Sequence, residues 1–194
     1  FKNSNFYDRL ENIQFSFLEL KEFGLTDDLY IKMNARGKPL SEFENFKAEF
    51  EKELSQEIKA KLDNSWLDLF WGLKDGNKED VDLSSVDKRY MAFFNRVASN
   101  FYVLNIKDTK EAKDFDFDEF DTLDTLEFFS SNKNNVNNVI KILDELCEVS
   151  NYELLKNFTD TSKDVTYETR VKFFALSMFL INFGAQKFGG DFYK

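Results

Sequence analysis

The stretch that decides the fold is SVDKRYMAFFNRVASNFYVLN, at residues 85–105. Its apolar side chains recur every three or four residues, which is the spacing of one face of an α-helix. The positions concerned are Val86, Tyr90, Phe93, Phe94, Val97, Phe101 and Leu104. The pattern predicts a long amphipathic helix whose apolar stripe faces a core.

The segment before this stretch predicts two more helices. Ser41 and Glu44 form a capping box, and the helix that they start keeps its apolar spacing to about Leu62. A shorter amphipathic segment begins near Trp66 and ends at the turn signal of residues 75–77. We therefore expect one long and one short helix here.

The segment after the stretch predicts helices at about 118–130, 135–149 and 167–187. The last of these is apolar nearly all round its centre. Such a helix belongs in the interior of a bundle. We expect 167–187 to be the buried helix that the others surround.

The beginning of the chain carries the features that are not simply helical. Residues 13–20, IQFSFLEL, alternate loosely and are rich in aromatics, which predicts a short strand. Thr26 can cap the start of a helix that ends at Gly37, although a strand over 29–34 is the alternative.

The predicted fold is mainly α (α+β): a bundle of about six to seven helices with one or two short strands near the N-terminus. A length of 194 residues fits a single domain or domain fragment, 1–194. Within it, 1–40 is the strand and motif-loop portion and 41–194 is the helical bundle. Because the chain begins at Phe1, we expect it to be a piece of a longer protein.

Composition excludes several functions. A net charge of −10 argues against direct nucleic-acid binding, and the absence of histidine excludes imidazole-based nuclease motifs, catalytic triads and most zinc sites. A single cysteine suits a reducing cytoplasm, where we expect the protein to be. The longest apolar run, 173–183, is too short to cross a membrane.

One cluster reverses this acidic character. Lys32, Arg36 and Lys38 fall within seven residues that contain no acid. Three cations around a glycine turn, just before a helix N-terminus, can hold an anion. The alternative is a plain capped corner, because Glu42 and Glu44 already occupy the favourable positions at that N-terminus.

Other chemical patterns have ordinary interpretations that we favour. Asp8, Glu19 and Lys21 imitate the layout of a metal-dependent nuclease, but charged ends of an edge strand explain them. The five aspartates within 114–124 lack the glycine and closing glutamate of a calcium loop, so we expect exposed acids on a segment anchored by its phenylalanines.

Two residue types that can carry chemistry are expected in the core. Cys147 shares a helical face with Val139 and Leu143, so we expect a buried small side chain and not a nucleophile. Trp66 and Trp71 could stack on bases if exposed, but they lack basic neighbours. We expect both tryptophans to be buried.

The segment LYIKMNARGKPLSEFENFKA, residues 29–48, resembles the F-x-x-I-N-x-R-G-x-x-L-(S/T) signature of the GmrSD-type domain, the N-terminal domain of modification-dependent restriction endonucleases. Residues 33–41 match nearly position for position. The stretches WLDLFWGLK at 66–74, DKRYMAFFNRVA at 87–98 and TRVKFFALSMFLI at 169–181 are also similar to the helical remainder of such proteins.

In that family the front half is a ParB/sulfiredoxin-like unit with a D-G-Q-Q-R motif, implicated in NTP binding and hydrolysis. This sequence lacks that motif. The resemblance therefore implies the back half, with the N-terminal part of the same domain as its partner. It also implies NTP with Mg²⁺ as cofactors of the complete protein, none of them tightly bound to this piece, which would be inactive alone.

The resemblance to the ParB-type N-x-x-R motif assigns roles within the loop. Asn34 would ligate Mg²⁺ or a phosphate oxygen, and Arg36 would neutralise phosphate charge. Gly37 would let the backbone approach the nucleotide. Met33 stands where the family has an acid, so Lys38 would serve a phosphate instead.

The expected function is that of a nucleotide-responsive part of a bacterial DNA restriction or defence protein. The chain would supply the N-x-R-G loop and a helical scaffold, and would relay nucleotide occupancy to a nuclease domain or a partner protein. The alternative is a catalytically inert, acidic helical protein-interaction module.

Overall fold

The computed structural model describes residues 40–72, 83–148, 159 and 165–187. The chain divides into two units, 1–39 and 40–194, and every described residue lies in the second. The strand predicted at 13–20 and the helix predicted to end at Gly37 therefore lie outside the described residues.

The described residues form helices, and no strand occurs among them. The α-helices are α1 (Glu42–Phe50), α2 (Gln56–Asp63), α3 (Ser65–Trp71), α4 (Leu83–Asn105), α5 (Thr109–Asp114), α6 (Thr122–Ser131), α7 (Lys133–Glu148) and α8 (Tyr167–Phe183). Two short 3₁₀ helices, Glu51–Glu53 and Ala185–Lys187, follow α1 and α8. The predicted mainly α fold is confirmed for this part of the chain.

The single long helix predicted from Ser41 to Leu62 is wrong, because the chain breaks into α1 and α2. The predicted capping box is present: Ser41 Oγ accepts from the amide of Glu44, whose carboxylate accepts from the amide of Ser41. After a 3₁₀ turn, Leu54 is extended, and the hydroxyl of Ser55 caps the new helix by accepting from the Ile58 amide. The extended Leu54 thus interrupts the helical path, and the N-cap at Ser55 starts α2.

The hydrophobic core is organised around α4. This helix packs against α1, α3, α6, α7 and α8, and the predicted stripe is buried from Val86 to Val97. Phe94 lies in the middle of an aromatic cluster, with ring contacts to Phe43, Phe46, Phe50, Tyr90, Phe93 and Phe129. The stripe ends earlier than predicted, because Leu104 is 57% exposed at the end of the helix.

The prediction that 167–187 is the surrounded helix is wrong. In α8 one face is buried, through Phe173, Leu176, Ser177 and Leu180. The other side is open among the described residues, with Tyr167 81% exposed. The helix ends at Gly184, whose φ of 74° suits a residue without a side chain. Since α8 packs mainly against α4 and α7, it covers the bundle from outside.

The segment between α4 and α7 contains one helix that was not predicted, α5, and α6 starts a few residues later than the predicted 118. Asp108 caps α5 and Asp121 caps α6. Phe120 is buried, whereas Asp116 and Asp118 are exposed. The expectation of exposed acids on an aromatic-anchored segment is confirmed.

Helix α7 packs against α3. Some of the predictions for the residues of these two helices are confirmed and others are wrong. Trp66 is fully buried as predicted, and its indole N–H donates to Asp144 at 2.9 Å. Trp71 is half-buried against the core. Cys147 is exposed, so its predicted burial is wrong, because Leu146 takes the core position at this turn of α7.

No helix within the described ranges is both long and apolar enough to span a bilayer.

Candidate functional site

The residues assigned to a nucleotide site, Asn34, Arg36, Gly37 and Lys38, lie outside the described residues. The same holds for the nuclease-like set of Asp8, Glu19 and Lys21. The structure therefore neither brings these residues together nor separates them, and their assignment stays a prediction.

The described residues contain a groove of about 950 Å³. We name it the N-cap groove, because the N-termini of α1 and α6 meet at it. Its walls are the start of α1, residues of α4 between Asp87 and Arg96, the segment 117–122 and the start of α8. All of these residues belong to the unit 40–194.

The N-termini of α1 and α6 are both capped by their own side chains. Ser41 and Glu44 cap α1 reciprocally. Asp121 accepts from the amides of Leu123 and Asp124, and Asp124 accepts from the amide of Asp121. Free helix N-termini attract anions, but here side-chain oxygens already occupy the amides. The groove is therefore poorly suited to a phosphate held by helix ends.

Hydrogen bonds between distant segments fix the walls. Ser41 Oγ donates to Asp87 Oδ2 at 2.7 Å and so ties the start of α1 to α4. The hydroxyl of Thr122 donates to Glu42, which joins the starts of α6 and α1. Asn95 Nδ2 donates to the carbonyl of Phe120 at 2.6 Å. These contacts connect the walls of the groove to one another.

Arg170 fastens α8 to the segment 117–122. Its guanidinium donates to Asp118 Oδ1 at 3.1 Å and lies 4.4 Å from the centre of the Phe117 ring. Burial lowers the pKa of Arg170, while the charges of Asp118 and Asp116 act to raise it. Only 13% of its side chain is exposed, so its charge interacts mainly with groups of the protein itself.

The accessible charges of the groove are mainly negative. Glu42, Asp118 and Asp121 are exposed and Asp87 is half-buried. Among the described cations of the lining, Lys88 is exposed, whereas Arg96 is buried and Arg170 pairs with Asp118.

The floor of the groove is apolar. Met91 and Phe120 are buried there, and Ala92, Phe117 and Val165 are half-buried beside them. An apolar floor below a polar rim is the usual arrangement of a site that binds a ligand or a peptide.

Metal ligation and nucleophilic catalysis find little support in the described ranges. No group of three or more His, Cys, Asp or Glu side chains there is placed to hold a metal ion. The thiol of Cys147 donates to the carbonyl of Ser65 at 3.6 Å. Although Cys147 as a residue is exposed, partial desolvation of its thiol, followed by the charges of Asp144 and Glu148, raises its pKa to about 11. The thiolate needed for attack is therefore scarce at neutral pH.

The groove was not predicted from the sequence, although some of the residues that line it were recognised individually. The capping box at Ser41 was recognised, and the aspartates of 114–124 were noticed as exposed acids. The second capping box, formed by Asp121 and Asp124, is readable from its spacing. That the two caps meet depends on how α1 and α6 pack, which no local pattern encodes.

Comparisons of the chain with family models, with curated proteins and with solved structures found no match.

Proposed function

We propose that the chain is part of a GmrSD-like, nucleotide-responsive protein of a bacterial DNA defence system. It would supply the N-x-R-G loop through Asn34, Arg36, Gly37 and Lys38, and the helices would form the scaffold that follows the loop. The cofactors would be NTP and Mg²⁺ in the complete protein.

The observation that supports this proposal is the start of α1. The motif of the resemblance runs to Leu40 and Ser41, and Ser41 is the N-cap of a helix whose Phe43, Phe46 and Phe50 are buried. Ser41 is also hydrogen-bonded to Asp87 of α4. The last residue of the motif is thus a fixed point of the helical core, as a scaffold that holds a binding loop requires.

The proposal is tested by nucleotide affinity in the full-length protein. Arg36→Ala and Asn34→Ala should weaken binding of ATP or GTP with Mg²⁺ by about tenfold or more, because each removes a polar or charge-assisted contact to phosphate. Lys52→Ala is the control, since it removes an exposed cation that lies outside the cluster of Lys32, Arg36 and Lys38 and should leave the affinity unchanged. Equal affinity in Arg36→Ala, Asn34→Ala and the unmodified protein would remove the assigned roles.

A second candidate function is that of an acidic helical protein-interaction module. The specific observation in its favour is the N-cap groove, with its apolar floor and its exposed carboxylates. Its test is whether a peptide or protein ligand perturbs Met91 and Asn95 inside the groove, measured by nuclear magnetic resonance.

A further inference from the structure

We propose that the N-cap groove binds a short basic segment of a partner protein, in which Lys or Arg side chains alternate with apolar ones. This inference rests on the second candidate function and names the chemistry of the partner. It does not depend on nucleotide binding.

The first argument is charge complementarity. Glu42, Asp87 and Asp121 line the groove, and each accepts a hydrogen bond from a hydroxyl or an amide. Such neutral donors leave the carboxylate charge in place, and a carboxylate has room for further donors. Against these three charges, the exposed cation of the described lining is Lys88.

The second argument is that, apart from Lys88, the cations of the described lining are already engaged or inaccessible. Arg170 is paired with Asp118 and covered by its contact with Phe117. Arg96 is buried at 5% exposure. Since the N-termini of α1 and α6 are also self-capped, a phosphorylated or acidic partner would meet Glu42, Asp87 and Asp121 with Lys88 as the exposed compensating donor of the described lining.

The third argument is the wider surface. From Lys110 to Glu127 the chain carries eight acids and two lysines, and this stretch supplies one wall of the groove. A basic segment approaching this side is attracted over a distance of about 8–10 Å at physiological ionic strength. The apolar residues of such a segment would then seat on Met91 and Phe117, where a flexible thioether adapts to different shapes.

The experiment measures binding of three labelled peptides of equal length to the 194-residue chain. One contains alternating lysine and leucine, and the other two replace lysine by glutamine or by glutamate. We expect the lysine peptide to bind, with an affinity that falls as salt is raised, and the other two to bind at least tenfold more weakly.

Charge-removing variants locate the binding. The triple variant Glu42→Gln, Asp87→Asn and Asp121→Asn keeps the observed hydrogen-bond acceptors, and asparagine remains a good N-cap. It should weaken binding of the lysine peptide by about tenfold, as expected for the loss of three partly exposed ion pairs. An unchanged melting temperature would show that the variant is folded.

The matched control is the triple variant Glu57→Gln, Asp68→Asn and Glu148→Gln, which removes the same charge from exposed positions outside the groove. It should leave the affinity within about twofold. Equal weakening by both triple variants would overturn the inference, because it would mean unspecific attraction to an acidic chain.

The three peptides test the basic character of the partner separately from the protein-interaction function. Binding of the glutamine or glutamate peptide in the groove, as tightly as the lysine peptide, would overturn the basic partner and leave the interaction function standing. Binding of none of the three peptides would overturn both.

Discussion

Helices α4 and α8 are both long and rich in aromatics, yet they occupy opposite positions in the bundle. Helix α8 is the more apolar of the two along its whole circumference, but it buries one face. Helix α4 carries Asn95, Arg96, Ser99 and Asn100 and is nevertheless the helix on which five others pack. The number of neighbouring helices, and not the apolar content, decides which helix is central.

Simple physical reasons allow a helix with polar residues to be central and a more apolar helix to be peripheral. A polar side chain in a central helix can be tolerated when it finds a partner, as Asn95 does at the carbonyl of Phe120. An apolar side chain at the surface costs little by itself, because folded proteins expose much apolar area. Composition therefore constrains burial only loosely, while identical substitutions in α4 and α8 should have very different effects.

The largest expected difference concerns two phenylalanines. Phe94→Ala in α4 should lower the free energy of unfolding by about 3–5 kcal/mol, because it leaves a cavity among six aromatic rings. Phe183→Ala in α8, where the ring is 58% exposed, should cost less than about 1 kcal/mol. Urea denaturation measures both. A loss at Phe183 as large as that at Phe94 would break the comparison.

The next difference concerns two asparagines. Asn95→Ala should cost about 1–2 kcal/mol, since the carbonyl of Phe120 loses its donor. Asn182→Ala removes a bond to the carbonyl of Met178 within α8, at an exposed position. Because alanine favours the helix, this change should be neutral within about 0.5 kcal/mol. Urea denaturation measures the stability of both variants. Equal losses of unfolding free energy would contradict a distinct role for α4.

The pH dependence of stability sharpens the contrast at Tyr90. Burial, followed by the charges of Cys147, Asp63 and Glu51, raises the pKa of Tyr90 well above its ordinary value of 10.0. In the unfolded chain this phenol ionises above about pH 10 while the folded state keeps its proton, so the associated stability is full below pH 10 and falls as pH rises.

Between pH 8 and pH 11, the unmodified protein should consequently lose about 1.4 kcal/mol more stability than Tyr90→Phe, measured by urea denaturation at the two pH values. Other groups titrate equally in both proteins and cancel in the comparison. An identical loss in the two proteins would contradict the burial of the hydroxyl.

The smallest expected effect is that of Tyr90→Phe at neutral pH. The Tyr90 hydroxyl is buried and has no hydrogen-bond partner among the described residues. Its ring lies 4.3 Å from that of Phe43 and 4.2 Å from that of Phe70, contacts that phenylalanine would keep. The variant should be unchanged or up to about 1 kcal/mol more stable, whereas Tyr167→Phe in α8 should have no effect. A clear destabilisation at Tyr90 would show that its hydroxyl has a partner.

Much of the helical part could be predicted from local signals. The capping box at Ser41, the burial of Trp66 and most of the α4 stripe were correct, because capping and periodicity are encoded within a few residues. The break at Ser55 was missed, although a serine with a glutamate two positions later, in the first helical turn, is also a helix start. Apolar spacing continues across the break and conceals it.

The candidate site was less predictable. The burial of a helix face depends on which helices cover it, and that information is distributed along the whole sequence. For this reason Cys147 was assigned to the buried face of α7, whereas the neighbouring Leu146 is the residue that is buried. The N-cap groove, too, arises from tertiary contacts, such as that between Thr122 and Glu42, which are 80 positions apart.

The meeting of two helix starts also bears on how readily this surface could acquire a different specificity during evolution. Glycine in place of Asp121, or of Ser41 and Glu44, would expose backbone donors that now face the protein's own oxygens. Such donors could hold an anion only after the other carboxylates of the lining, Glu42, Asp87 and Asp118, were also replaced.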